Sequence, residues 1–309
     1  RFSTWIEEFI FSLQHLEELR QRLPLKGIKG AIGTSQDLSD LFGIDSEIIE
    51  RNLMAENDFQ NSLIAPAQIY PRSIDYEIIT TLVQLASAPS NIATNIRLMS
   101  GLGILSEGMK EGQTGSSAMP HKVNARLSER VNGLSSVLKG HAVMLQELVG
   151  NQWNEGDVSC SVVRRVALPD AFYSIDAILD TVIRILKKLE VFPEVLDREV
   201  RDNLPFLISS QIMNALVKKG VGREDAHSIV KKYSLVAAEN FRKTGENNLI
   251  DLISNDHEIP LKHEDLAPLL DPSGLTAMAI KQTKAIIARA LAEGIPSSEA
   301  DSYTPSEAL

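Results

Sequence analysis

Apolar residues recur at three- and four-residue steps along most of the chain, and that period predicts helices. Ile6, Ile10, Leu13 and Leu16 form one such stripe, predicting a helix over 2–22 that Pro24 stops. From Ser73 to Leu105 the stripe runs Ile74, Ile78, Leu82, Leu85, then Ile92, Ile96 and Met99. Pro89 lies inside it and should kink the helix or split it in two. Leu127, Val131, Leu134, Leu138, Ala142, Leu145 and Val149 step by 4, 3, 4, 4, 3 and 4, predicting a helix over about 122–149. A further helix, over about 162–189, carries Leu168, Phe172, Ile175, Ile178, Val182, Ile185 and Leu189, with Pro169 bending it near its start. Helices of this length predict an elongated bundle. Val149 and other apolar residues off the main stripes predict burial on more than one side, hence a bundle of several chains.

After Phe192-Pro193 the helices become shorter. Gly220, Gly222 and Gly245 end some of them, and Pro260, Pro268, Pro272 and Pro296 break others. The expected organisation is a central helical-bundle domain over 1–191, a smaller C-terminal helical domain over 192–295 and a disordered tail over 296–309. The expected fold class is all-α, with no internal repeat and almost no strand signal. Two loops stand out. Lys26–Thr34 (KGIKGAIGT) is Gly- and Lys-bearing, but it lacks the Walker spacing and no strand precedes it, so it reads as a connector. Glu107–Met119 has three glycines and no apolar period, and reads as a mobile loop.

Composition narrows the function. The 309 residues are 43% hydrophobic and 23% charged, which fits a globular chain. Lys plus Arg is 31 against 41 for Asp plus Glu, a net charge of −10. That balance argues against a nucleic-acid surface. The single cysteine, Cys160, excludes an internal disulfide and a Cys-rich zinc site. No apolar run approaches the roughly 18 residues of a membrane helix. No signal peptide is visible. The expectations are no nucleic-acid partner, no membrane, no metal and a cytoplasmic location. Since the chain opens at Arg1, inside an apparent helix, it is expected to be a fragment.

The chemistry centres on Gly115–Asn124, GSSAMPHKVN. One reading is a surface loop with a serine cap on the next helix. The other is an active-site loop, with Lys122 and Asn124 at a helix start whose free N–H groups and positive dipole end favour an anion. A serine beside such a site can serve as a base.

This segment resembles the signature loop of the fumarase/aspartase superfamily, G-S-S-x-M-P-x-K-x-N, with one departure: Ala125 stands where the family usually has Pro. Gln68-Ile69-Tyr70-Pro71-Arg72, Ser128-Glu129-Arg130 and Trp153–Asp157, continuing to Ser161 and Arg164-Arg165, resemble the adenylosuccinate lyase family within it. The resemblance runs from Arg1 to about Glu293. It implies elimination of fumarate from adenylosuccinate to give AMP, and from the succinylcarboxamide ribotide of purine synthesis. It implies no cofactor, a nucleotide substrate and a homotetramer with active sites shared between subunits. It also implies a Thr-x-x-His-x-Gln segment, bearing the histidine acid, ahead of Arg1-Phe2.

Residue by residue, the resemblance implies that Ser116 is the base, with Ser117 beside it. Lys122 and Asn124 hold the succinyl carboxylates and stabilise the carbanion. Glu129, seven residues after Lys122 and so on about the same helical face, orients the histidine. Gln68 bonds the succinyl group. Arg130, Ser161 and Arg165 contact the nucleotide, mainly its phosphate. Gly156 stands where the family often has Arg, a gap that Arg164 is positioned in sequence to fill. Read without the family, Arg164 and Arg165 are a solvated helix face and Glu129 an ordinary exposed glutamate. His141 lies on a core-pattern helix and reads as structural; Trp153 and Cys160 read as packing.

Three hypotheses follow: an adenylosuccinate-type lyase; another superfamily lyase acting on argininosuccinate, malate or aspartate; and a non-catalytic helical scaffold. The Gln68–Arg72 motif and the Ser161/Arg165 pair disfavour the second, because those substrates carry no phosphate.

Overall fold

The computed structural model describes residues 1–43, 45–108, 124–153, 155–156, 158–295, 300 and 302–305. The architecture is all-α. Contacts divide the chain into two units, Arg1–Glu190 with Arg289–Leu309, and Val191–Ala288.

The first unit opens with α1 (Phe2–Arg22), which ends before Pro24. Two short helices follow, α2 (Gln36–Phe42) and α3 (Ser46–Glu56). Neither buries an apolar residue fully: the only buried residue of α3 is Glu50, with Ile49 and Leu53 half-buried, and none of α2 is buried. The stretch around Pro89 splits in two, as α4 (Ser73–Leu85) and α5 (Ser87–Gly101). Pro89 falls in the first turn of α5, where its missing N–H costs no helical bond.

The two-residue strand β1 (Leu105–Ser106) leads towards α6 (Arg126–Gln146). The long α7 (Val158–Lys188) runs unbroken through Pro169, which lacks the N–H that would bond the carbonyl of Arg165. It is followed by β2 (Glu190–Val191). The helices α4 to α7 pack on one another around Ile79, Leu82, Ile92, Ile96, Val131, Leu138, Leu145, Ile178 and Ile185.

The buried face of α7 differs from the expected stripe in its first half. Small residues Ala167, Ala171 and Ser174 are buried there, while Phe172 is 50% exposed. Small side chains bring two helix backbones close together, so the interior face of that stretch is the small one, not the bulky one. Val149, at the end of the α6 stripe, is also exposed.

The second unit holds α8 (Pro193–Leu207), α9 (Ser209–Lys218), α10 (Arg223–Thr244), α11 (Leu249–Ser254) and α12 (His263–Leu266). It also holds most of α13 (Ser273–Ala292). Its core is Leu204, Ile208, Ile212, Leu216, Ala226, Leu249, Ile253 and Leu266. Gly245 ends α10 with φ of 80°, the left-handed cap that glycine adopts without steric cost. The end of α13 groups with the first unit: Arg289 pairs with Glu7 at 2.9 Å, and Gln14 donates to Glu293 at 3.3 Å. In the tail, Tyr303 donates its hydroxyl to Asp180 at 2.8 Å. Among the described residues no helix is long and apolar enough to cross a membrane.

Candidate active site

Ser116, Ser117 and Lys122 lie outside the described residues, as does most of the glycine-rich loop expected to be mobile. The other candidate residues fall into two groups.

The first group is at the start of α6. Asn124 and Glu129 line a cavity of about 550 Å³ with Thr94, Arg97, Leu98, Ser100 and Gly101 of α5 and with Ala125. Arg97 donates to Asn132 Oδ1 at 3.0 Å, which holds its guanidinium against α6. Sequence reasoning missed Thr94 and Arg97. In sequence they are a polar pair at a three-residue step, but α5 also carries Ser90, Asn91 and Asn95, so the sequence does not single them out. Arg130, next to Glu129, is exposed.

The sequence predicts free N–H groups at the start of α6, but the first ones are taken. Those of Leu127 and Ser128 donate to the carboxylate of Glu107 at 2.8 and 3.1 Å. An anion at this helix end is already supplied by the protein itself.

The second group joins the segment 67–72 to the first turns of α7. Ser161 and Arg165 stand one turn apart on α7 and share a face. Arg164 does not join them. Its Nε donates to Asp75 Oδ2 at 2.6 Å, and its Nη2 donates to the hydroxyl of Tyr70. Tyr70 in turn donates to Asp75 Oδ1 at 2.7 Å. Asp75 is 1% exposed, and Arg72, 5% exposed, faces the same carboxylate at 3.7 Å and stacks on the Tyr70 ring. Burial, and then the hydrogen bond to the Asp75 carboxylate, push the Tyr70 hydroxyl up to about 12. The guanidinium of Arg164 is thus committed to neutralising a buried carboxylate, and the suggestion that it fills the gap left by Gly156 does not hold. The N–H of Arg72 donates to Gln152 Oε1 at 2.8 Å, tying this segment to the chain just before α7.

Gln68 itself is exposed, and glycines flank it. A Cβ on Gly156, at φ +94°, would stand 3.4 Å from Gln68 Oε1. A Cβ on Gly33, at φ +77°, would stand 2.6 Å from Gln68 N and 2.3 Å from the carbonyl carbon of Ala67. The Lys26–Thr34 segment, read as a connector, is therefore seated against the backbone of Gln68. It is anchored from the other side by the buried ion pair of Lys29 with Glu50, at 2.6 Å, beside a polar cavity of about 340 Å³.

His141 faces Asp170 at 2.5 Å from its place inside α6, a structural role. Cys160 is buried, whereas Trp153 is 69% exposed and does not pack as expected. Among the described residues no group of three or more His, Cys, Asp or Glu could hold a metal ion.

Comparison with known proteins adds to this geometry. The family described as Lyase matches residues 1–140. The family described as Adenylosuccinate lyase C-terminus matches residues 205–286. The adenylosuccinate lyase of Schistosoma mansoni is 33% identical over 293 residues, which cover 93% of this chain and 61% of that protein. The Saccharomyces cerevisiae adenylosuccinate lyase is 31% identical over 291 residues, covering 93% of this chain and 60% of that one. The chain thus spans about 60% of the length of these curated relatives. A fumarate lyase from Mesorhizobium sp. BNC1 superposes with a TM-score of 0.74 at 21% identity, over 93% of this chain and 62% of that one, a likeness of fold.

Proposed function

Because the chain belongs to the adenylosuccinate lyase family of the fumarase/aspartase superfamily, we propose that the protein eliminates fumarate from adenylosuccinate to give AMP, and from the succinylcarboxamide ribotide to give its carboxamide product. The observation that carries this reading is the cavity where Asn124, the last residue of the GSSAMPHKVN segment, and Glu129 meet Arg97.

In this reading Ser116 takes the proton from the succinyl Cβ. The electron pair left on that carbon is delocalised into the adjacent carboxylate, whose added charge Lys122 and Asn124 stabilise. The C–N bond then breaks, a histidine held by Glu129 returns a proton to the departing nitrogen, and fumarate leaves. Gln68 bonds the succinyl group, and Ser117, next to Ser116 in the sequence, is a further substrate-binding residue. Arg130, Ser161 and Arg165 hold the nucleotide, and the shared face of Ser161 and Arg165 supports a joint grip on phosphate oxygens.

The protein acts as a homotetramer in the cytoplasm, with residues of different subunits completing each site. Exposed Val158, Val162, Val166 and Tyr173 on α7 and Val137 and Val143 on α6 support association through the bundle.

The test is turnover by the full-length protein of adenylosuccinate, argininosuccinate, malate and aspartate, each with Ser116→Ala alongside. The expected result is turnover of adenylosuccinate alone and a kcat lowered by roughly 10²–10⁴ in Ser116→Ala, with KM little changed. Turnover of another of these substrates instead moves the protein elsewhere in the superfamily. No turnover of any makes it a scaffold.

A further inference from the structure

The helix that carries Glu129, with Asn124 just ahead of its N-cap, begins without a local cap. Its N-cap residue is Ala125, which has no side-chain acceptor, and Asn124, a residue type well suited to capping, lines the cavity. The orphan N–H groups of a helix start need an acceptor when they are buried. Glu107, next to β1, supplies it. Its Oε1 accepts from Leu127 N at 2.8 Å; its Oε2 accepts from Ser128 N at 3.1 Å and from Ser128 Oγ at 2.9 Å. The carboxylate is 20 and 21 residues away in sequence, Glu107 is 5% exposed and Ser128 is 0% exposed.

We propose that Glu107 is a positioning residue of the elimination site: by capping α6 from a distance, it fixes the first turn and thereby sets Asn124 and Glu129 about their cavity. Two consequences follow from the geometry. A cap delivered by Glu107, just after β1, leaves the Asn124 side chain for the cavity instead of spending it on the helix end. A negative charge at the positive end of the helix dipole also offsets the attraction of that terminus for another anion, so a substrate carboxylate must be gripped by side chains. Ser128, which precedes Glu129, is held by both its backbone and its hydroxyl. Glu129 stands about 100° further round the helix, at the cavity.

This inference rests on the reading of Asn124 and Glu129 as active-site residues, so its test carries Glu129→Ala as a separate arm. Glu107→Gln, Glu107→Asp and Ser128→Ala are made in the full-length protein. Steady-state turnover of adenylosuccinate, thermal melting and amide exchange at Leu127 and Ser128 are measured. Glu107→Gln keeps the size of the side chain but turns an amide NH₂ towards donors. It is expected to lower kcat by at least about tenfold with KM within about threefold, the signature of an interaction that matters in the transition state. It is also expected to speed exchange at the two amides by at least about tenfold, while the protein stays folded at the assay temperature. Glu107→Asp, which keeps the charge, recovers part of kcat, and Ser128→Ala, which removes one of the three bonds, gives a smaller loss. A lower melting temperature with unchanged kcat would mark Glu107 as merely structural and overturn the proposal, as would unchanged amide exchange. If Glu129→Ala retains full activity, the reading of the cavity as the active site fails, and this proposal falls with it; if Glu129→Ala is inactive and Glu107→Gln is not, only the proposal fails.

Discussion

Arg164 on α7 and Asp75 on α4 are 89 residues apart in sequence, and Arg164 Nε donates to the Asp75 carboxylate at 2.6 Å. That contact does more than pair two charges. Tyr70 bonds both partners, and Tyr70 lies two residues after Gln68, while Arg164 lies between Ser161 and Arg165. Asp75 therefore sets the register between the two segments proposed to hold the succinyl group and the phosphate. An arginine that reads from sequence as a spare phosphate ligand is part of the frame on which the ligands stand.

Removing the shared carboxylate should be costly. Asp75→Ala leaves the guanidinium groups of Arg72 and Arg164 without their common anion in a buried place. Breaking a buried pair this way is expected to cost about 3–5 kcal/mol. Urea unfolding followed by circular dichroism checks it; a loss under about 1 kcal/mol would mean that other groups or water neutralise the cluster.

The neighbouring arginines should separate by assay. Arg164→Ala is expected to lower the melting temperature and, through Tyr70, to disturb the Gln68 segment. Arg165→Ala, at an exposed position, should change stability by no more than about 0.5 kcal/mol and act on KM with kcat nearly intact. The pair of melting curves and kinetic sets decides between them. A raised KM with unchanged melting in Arg164→Ala would return that residue to the phosphate.

Gly33 should tolerate no side chain. Gly33→Ala places a Cβ 2.3 Å from backbone of Ala67, at a φ of +77°. Gly43→Ala is the control, because its φ is +59° but nothing lies within 4 Å of the added carbon. Gly43→Ala should cost about 1–2 kcal/mol for the left-handed backbone alone. Gly33→Ala should cost clearly more and should raise KM by displacing Gln68. Equal costs in the two variants would show that the contact with Ala67 relaxes freely.

Tyr70 should give the protein an alkaline stability loss. Its hydroxyl is raised from 10.0 to about 12, by burial first and by the hydrogen bond to Asp75 second. A raised folded-state value means that the contribution of the neutral phenol is fully present below pH 10 and is lost as pH rises through about 12. Unfolding midpoints of the wild type and Tyr70→Phe, compared from about pH 9 to about pH 12, should diverge in slope, with the wild type falling more steeply. Parallel curves would place the hydroxyl in water.

Much of the fold is legible locally. Pro24 ends α1, Pro89 opens α5 and Gly245 closes α10, each by a backbone property that needs no partner. The helices α2 and α3 were not legible, since α2 buries no residue and α3 buries only Glu50, which sits in an ion pair. The candidate site was legible as residue types in a signature segment. Its grouping was not: nothing in the order of the letters ties Glu107 to Ser128, or Gly33 to Gln68.

The sequence by itself determined the all-α class, the helix breaks and the chemical inventory, because hydrophobic period, proline and glycine act within a few residues of themselves. The tertiary structure decided which face of α7 is interior, placing Ala167 and Ala171 inside and Phe172 half outside. It also decided which arginine of the pair is spent on Asp75 and how α6 is capped. Burial and ion pairing depend on the partner that arrives across the bundle, and the partners here lie 20 to 89 residues away.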